Sequence, residues 1–301
     1  MNKIKGFSIL AVLAFWSLFA ARQWSSMGMS PLDRAQVAIE SSRLQVFSYR
    51  VIHSYPHDPA AFTQGLAFDE NGALYESTGL KGQSTLRTVD LETGQVLGSR
   101  NLPDDVFGEG ITILDGNIYQ LTWKEQVGFV YERDFNLLRD FTYPMEGWGL
   151  THEEGTDKNR LIMSDGSSTL YFLDPQTFEV VDSRQVRTDN NDSLPMLNEL
   201  EWIDGKIYAN IWKTNYIAKI DPATGQVVGW IDLTGLLSPE EYKRADVLNG
   251  IAYDKNGRWF VGGKLWPRLF EIEVISFVLI PQGQISSELE VGVHRSGTSV
   301  R

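Results

Sequence analysis

The sequence predicts an all-β protein, a five-bladed β-propeller with four antiparallel strands per blade. Three observations lead there. First, five segments share one plan: Gln64-Gly65-Leu66-Ala67-Phe68, Glu109-Gly110-Ile111-Thr112-Ile113, Trp148-Gly149-Leu150-Thr151-His152, Asn198-Glu199-Leu200-Glu201-Trp202 and Asn249-Gly250-Ile251-Ala252-Tyr253. A turn rich in Asp, Asn and Gly follows each. The aliphatic marks Leu66, Ile111, Leu150, Leu200 and Ile251 recur every 40 to 50 residues or so, the period of a four-stranded blade. Second, the later half of each of the first four units reads as strand, tight turn, strand, with turn chemistry supplied by Glu92-Thr93-Gly94 and Pro222-Ala223-Thr224-Gly225. Third, the fifth unit keeps "PRLFEIEV" but has no clear outer strand, and residues 44–58, "LQVFSYRVIHSYPHD", can supply one. Closing the ring in that way removes exposed sheet edges.

At the N-terminus, Lys3 and Lys5 precede an apolar run from Gly6 to Ala21, the layout of an export signal. The run is short for a bilayer crossing, and no small-x-small cleavage site follows it. Residues 1–25 are therefore expected to be a signal peptide or an uncleaved membrane anchor. The body is expected outside the cytoplasm, secreted or, in a Gram-negative host, periplasmic. The catalytic propeller is assigned to residues 44–280 and a loose polar tail to 281–301.

Composition narrows the chemistry. With 301 residues, 42% hydrophobic and 22% charged, the chain can bury a sizeable core. A net charge of -12 without a basic cluster argues against nucleic acid as a partner. The absence of cysteine excludes thiol catalysis, disulfides and thiolate metal sites. Four histidines without ligand spacing argue against a catalytic zinc. His152-Glu153-Glu154-Gly155, at a hairpin turn, is expected to be solvated. Glu199 and Glu201 stand where other units carry small residues, so they need a cation or hydrogen-bond donors if buried. A structural calcium ion is one way to satisfy them.

The candidate site follows from blade geometry. The start of the first strand and the end of the second meet at one mouth of the ring. The first positions are Gln64, Glu109, Trp148, Asn198 and Asn249, and the last are Gly79, Trp123, Gly166, Trp212 and Lys264. One carboxylate, one amine, three amides and three tryptophans thus converge, as in small-ligand sites. Each has a plainer use: tryptophans pack, amides satisfy strand ends, and charges are solvated. Their coincidence at one mouth favours function.

The segments "HDPAAFTQGLAF", "FGEGIT", "LTW", "GWGLT", "LNELEW", "IYANIW" and "LNGIAY" resemble the plant and bacterial glutaminyl-peptide cyclotransferases, from about Tyr55 to Glu273. The resemblance implies a five-bladed propeller that converts an N-terminal glutamine of a peptide or protein to pyroglutamate and releases ammonia. Glu109 would be its general acid/base. Gln64, Asn198 and Lys264 would be polar site residues, and Phe62, Phe107, Trp123, Trp148 and Trp212 its aromatic lining. No cofactor is needed, and a monomer is expected. Two alternatives stay open: a metal-dependent lactonase-like propeller hydrolase, and a non-enzymatic propeller that binds peptides. The first wants several inward carboxylates, and the second has no need of Glu109 or Lys264.

Overall fold

The computed structural model describes residues 28–155 and 158–276. The expected signal or anchor at 1–25 and the tail at 281–301 lie outside them. Helix α1 (Pro31–Ser41) opens the fold, with Ser30 and Asp33 closing a capping box and a proline at its start. It buries Ala35 and Ala38 against a core cluster that includes Phe172, Trp202 and Trp230. A sequence boundary at residue 44 leaves this helix out. Among the described residues no helix is long and apolar enough to cross a membrane.

Everything else of size among the described residues is β-structure. Strands β2 (Thr63–Phe68), β3 (Leu74–Thr78), β4 (Thr85–Val89) and β5 (Val96–Asn101) form one antiparallel four-stranded sheet in sequence order. Strands β6 (Gly108–Leu114), β7 (Asn117–Thr122), β8 (Val127–Tyr131) and β9 (Leu137–Thr142) form a second. A third holds β10 (Leu150–His152), β11 (Leu161–Ser164), β12 (Thr169–Leu173) and β13 (Val180–Gln185). Burial falls from inside outward: β2 and β6 are buried along nearly their whole length, whereas β5 and β13 are open to solvent.

The remaining strands are β14 (Leu197–Ile203), β15 (Lys206–Ile211), β16 (Tyr216–Ile220) and β17 (Val227–Asp232), then β18 (Leu248–Tyr253), β19 (Trp259–Gly263) and β20 (Arg268–Ser276). The short helix α2 (Pro239–Tyr242) stands between the two groups. Strand β1 (Val46–Pro56) pairs antiparallel with β20 from Phe47↔Ser276 to Pro56↔Arg268, filling the outer position that "PRLFEIEV" lacks. Its first residues also pair in parallel with β17, at Val46↔Trp230 and Phe47↔Ile231. That bridge, not foreseen from sequence, merges two groups into one eight-stranded sheet.

The inner strands contact one another in a cycle, β18 to β2 to β6 to β10 to β14 and back to β18. Glycine makes this close approach feasible. A Cβ on Gly65 would stand 2.6 Å from the Ile111 nitrogen, and one on Gly149 only 2.0 Å from the Asn198 carbonyl oxygen. Glu199 stands at the equivalent place in β14, and its carboxylate accepts the backbone N–H groups of Ile251 (2.9 Å) and Leu66 (3.4 Å). Glu201 accepts from Tyr253 N–H at 2.8 Å. Both glutamates are therefore satisfied by donors.

Where chain ends meet, a buried ionic cluster forms. The His57 ring nitrogens face the Trp266 carbonyl oxygen (2.8 Å) and Glu76 Oε1 (3.1 Å). Both partners accept, so the ring carries two N–H groups and a positive charge. Arg87 Nε donates to Glu76 Oε2 at 2.9 Å and its Nη1 to Asp58 Oδ2 at 2.9 Å, while Thr63 Oγ1 donates to Glu76. One correction concerns residues 152–155. His152 is not free in solvent: its Nδ1 lies 2.9 Å from Thr112 Oγ1, and Glu153 is buried against the Arg160 guanidinium, with two contacts of 2.8 Å.

Candidate active site

The predicted residues do gather at one mouth, each within a residue or two of a strand end. Gln64, Glu109, Asn198 and Asn249 are second residues of β2, β6, β14 and β18. Trp148 precedes β10, while Trp123, Trp212 and Lys264 follow β7, β15 and β19 directly. Gly79 and Gly166, ring positions without side chains, have close aromatic neighbours instead: a Cβ on Gly79 would meet the Phe107 ring at 2.2 Å.

A chain of oriented amides leads to the carboxyl group. Asn249 Nδ2 donates to the Thr63 carbonyl (3.1 Å) and to Gln64 Oε1 (3.2 Å), and Gln64 Nε2 then donates to Glu109 Oε1 at 3.1 Å. Behind Glu109, the Ser77 hydroxyl donates to its main-chain carbonyl and receives Gln120 Nε2 at 2.8 Å. Only 5% of Glu109 is exposed. Burial raises its pKa well above the usual carboxylate range; Lys264 opposes the rise, and Glu125 and Glu146 add to it. Lys264 is also buried, with Nζ 4.9 Å from the centroid of the Phe62 ring. Burial lowers its pKa, and the nearby Glu109 and Asp246 charges oppose that. The pair has its proton affinities moved toward each other.

Aromatic rings wall the mouth. Phe62 meets Phe107 edge-on at 6.0 Å, Phe107 meets Trp123 at 5.7 Å, and Trp148 meets Trp212 at 5.3 Å. All five rings are half-buried. The two groups are joined by Glu146, a residue the sequence reading missed. Its Oε2 accepts both indole N–H groups, from Trp123 at 2.8 Å and Trp148 at 3.2 Å. A carboxylate two places before Trp148 in "MEGWG" was the available signal. Lys124 and Lys213 cover the Trp123 and Trp212 rings at 4.0 and 4.4 Å.

The Oδ1 atoms of Asn198 and Asn249 are buried and make no hydrogen bond. Among the described residues no group of three or more His, Asp or Glu side chains is set to hold a metal ion. The far end of the ring holds a separate 750 Å³ cavity lined by Glu201, His152, Glu154 and the hairpin turns. Burial pushes Glu201 up to about 8, with the Tyr253 N–H bond opposing.

An all-β fold of four-stranded sheets around a cycle of inner strands, with a carboxyl and an amine buried in one aromatic mouth, is that of an enzyme of the propeller type. The comparisons with known proteins agree. The sequence profile described as "Glutamine cyclotransferase" matches residues 22–274. A glutaminyl-peptide cyclotransferase of Arabidopsis thaliana is 41% identical over 270 residues, covering 88% of this chain and 80% of that protein. The crystal structure of Myxococcus xanthus glutaminyl cyclase matches with a TM-score of 0.70 at 39% identity, over 78% of this chain and 100% of that one. This chain belongs to the glutamine cyclotransferase family.

Proposed function

We propose that this mouth closes an N-terminal glutamine of a peptide or protein onto itself, giving pyroglutamate and ammonia, with Glu109 as the proton carrier. The observation that carries the mechanism is the buried Glu109 carboxyl, held by Gln64 and facing the charge of Lys264. The substrate's α-amine attacks its own γ-carboxamide carbon, so the enzyme chiefly holds the bent conformer. The Glu109 carboxylate takes the proton released by the amine as the C–N bond forms. It returns that proton to the γ-nitrogen as ammonia leaves. Lys264 stabilises the oxyanion of the tetrahedral intermediate. An amide donor such as Asn198 can share in holding that oxyanion, and Asn249 orients Gln64. Phe62, Phe107, Trp123, Trp148 and Trp212 exclude water and grip the methylenes.

The reaction as written uses no cofactor, and any structural calcium would stand apart from it. We read the cycle of inner strands as five blades, the eight-stranded sheet being two blades joined at β1 and β17. Residues 1–25 are read as an export signal or anchor, which puts the enzyme in the periplasm or secreted, as a monomer. A Gln-peptide incubated with the purified protein should release one ammonia per peptide and lose the corresponding mass. No release from any Gln-peptide by the folded protein would sink the proposal.

A further inference from the structure

A glutamine that folds back on itself sends both reacting nitrogens toward Glu109, so its carbonyl and the rest of the peptide must leave through the mouth. A groove of 470 Å³ opens there, within the usual range of about 300 to 1,000 Å³ for ligand pockets. It is continuous with the site, because Trp148 and Glu146 line both. Its other walls come from Pro31 and Arg34 of α1, the turn at residues 165–168, and Ser193, Pro195 and Met196.

The groove is preformed. Gly166 has φ +77°, and a Cβ there would stand 2.6 Å from the Trp148 ring, so the turn is pressed against the indole. The Gly166 carbonyl receives Met196 N–H at 2.9 Å, and the Met196 carbonyl receives Trp212 N–H at 2.9 Å. These bonds tie the groove floor to the aromatic arc.

Charge defines what would sit in it. The two lining carboxylates keep their charge but are turned to the protein's own groups: Asp165 accepts from Ser167 N–H at 2.9 Å and from the Tyr171 hydroxyl at 3.0 Å, and Glu146 holds two indoles and lies 3.9 Å from Lys124 Nζ. Arg34 is exposed on the wall and makes no side-chain ion pair among the described residues. Lys124 and Lys213 lie over the neighbouring Trp123 and Trp212 rings.

We propose that this groove is a second subsite, holding the residues that follow the N-terminal glutamine, and that Arg34 makes it favour an acidic side chain among them. The proposal rests on the cyclase reading above. It gives α1 a role in substrate selection, and it makes a peptide a better substrate than a glutamine derivative with nothing beyond its carbonyl.

The test compares glutamine amide with the pentapeptides Gln-Ala-Glu-Ala-Ala and Gln-Ala-Lys-Ala-Ala, in the full chain and in the variants Arg34→Glu and Ser193→Trp. Both variant positions are exposed. Ser193→Trp should raise pentapeptide KM by about tenfold, the equivalent of one moderate contact, and leave glutamine amide unchanged. Arg34→Glu should reverse the acidic-over-basic preference, each peptide shifting roughly fivefold, as for a solvent-open ion pair. Unchanged pentapeptide kinetics in both variants, or an equal rise in KM for glutamine amide, overturns the subsite. Direct binding of pyroglutamyl-Ala-Glu-Ala-Ala, read from tryptophan fluorescence, needs no turnover. Failure of wild-type protein to act on glutamine amide and on both pentapeptides would therefore strike the cyclase reading, while equal product-peptide affinity in wild type and Ser193→Trp would strike the groove.

Discussion

Replacing Glu109 by glutamine separates proton transfer from every other task of the mouth. The side chain keeps its size, and its amide oxygen can still accept Gln64 Nε2, now 3.1 Å from Glu109 Oε1. What disappears is the group that moves the proton. General acid–base catalysis contributes roughly 10² to 10⁴ in rate, so kcat on a Gln-peptide should fall at least about 100-fold, or about 2.7 kcal/mol of transition-state stabilisation. The pH dependence should change too. Wild-type activity rises with pH as the carboxyl, whose pKa burial holds well above the usual range, becomes the base. The variant loses that limb, and Lys264, no longer supported by the Glu109 charge, gives up its proton at lower pH. A raised carboxyl pKa contributes stability that is present at low pH and lost as pH climbs through the folded value. Glu109→Gln should therefore match wild type in acid and exceed its melting temperature at alkaline pH. Initial ammonia release at saturating peptide, with parallel thermal melts from pH 5 to 9, measures both. A variant that turns over at close to the parental rate, or one that melts far below wild type throughout, refutes the reasoning.

Trp123→Ala and Trp212→Ala should raise KM several-fold or more while unfolding stays cooperative, because both rings are half-buried at the mouth; near-normal kinetics in a destabilised protein would assign them to packing. The His57 cluster should show in acid. Burial alone would push Glu76 up, yet the His57 and Arg87 charges outweigh it and bring its pKa from 4.5 to about 2. That shift is worth about 3 kcal/mol near neutrality, lost as pH falls from 4.5 toward 2, and Glu76→Gln should flatten this part of a stability-against-pH curve. Chelation with EDTA should leave turnover nearly unchanged in protein that remains folded, as the mechanism rests on side chains; abolished activity in folded protein would contradict it. A chain lacking residues 1–25 should stay soluble and active, checked by gel filtration and ammonia release.

The hairpins were readable because each inner strand repeats the same apolar mark before an Asp- or Gly-rich turn, and position along such a strand fixes which end of the ring a side chain reaches. Glu109, Gln64 and Lys264 follow from that geometry alone. Helix α1 was not readable, since the face it buries is made of two alanines, Ala35 and Ala38, with little apolar contrast. Glu146 lies in a connecting loop, where no strand period points to a partner. The burial of His152 and Glu153 depends on Thr112 and Arg160, which a local reading does not bring to them. The parallel bridge between β1 and β17 is set by how two sheets meet, beyond the reach of either strand's own pattern.

The pairing of β1 with β20 also sets an order in time. Among the described strands β1 leaves the ribosome first, and its long antiparallel partner β20 comes last, with Tyr55 and Glu271 lying 216 positions apart. Meanwhile the first three sheets can complete themselves from neighbouring sequence, and β1 waits with backbone groups unpaired. Ring closure is thus the final folding event, and a chain stopped short of β20 keeps an edge open to a second copy.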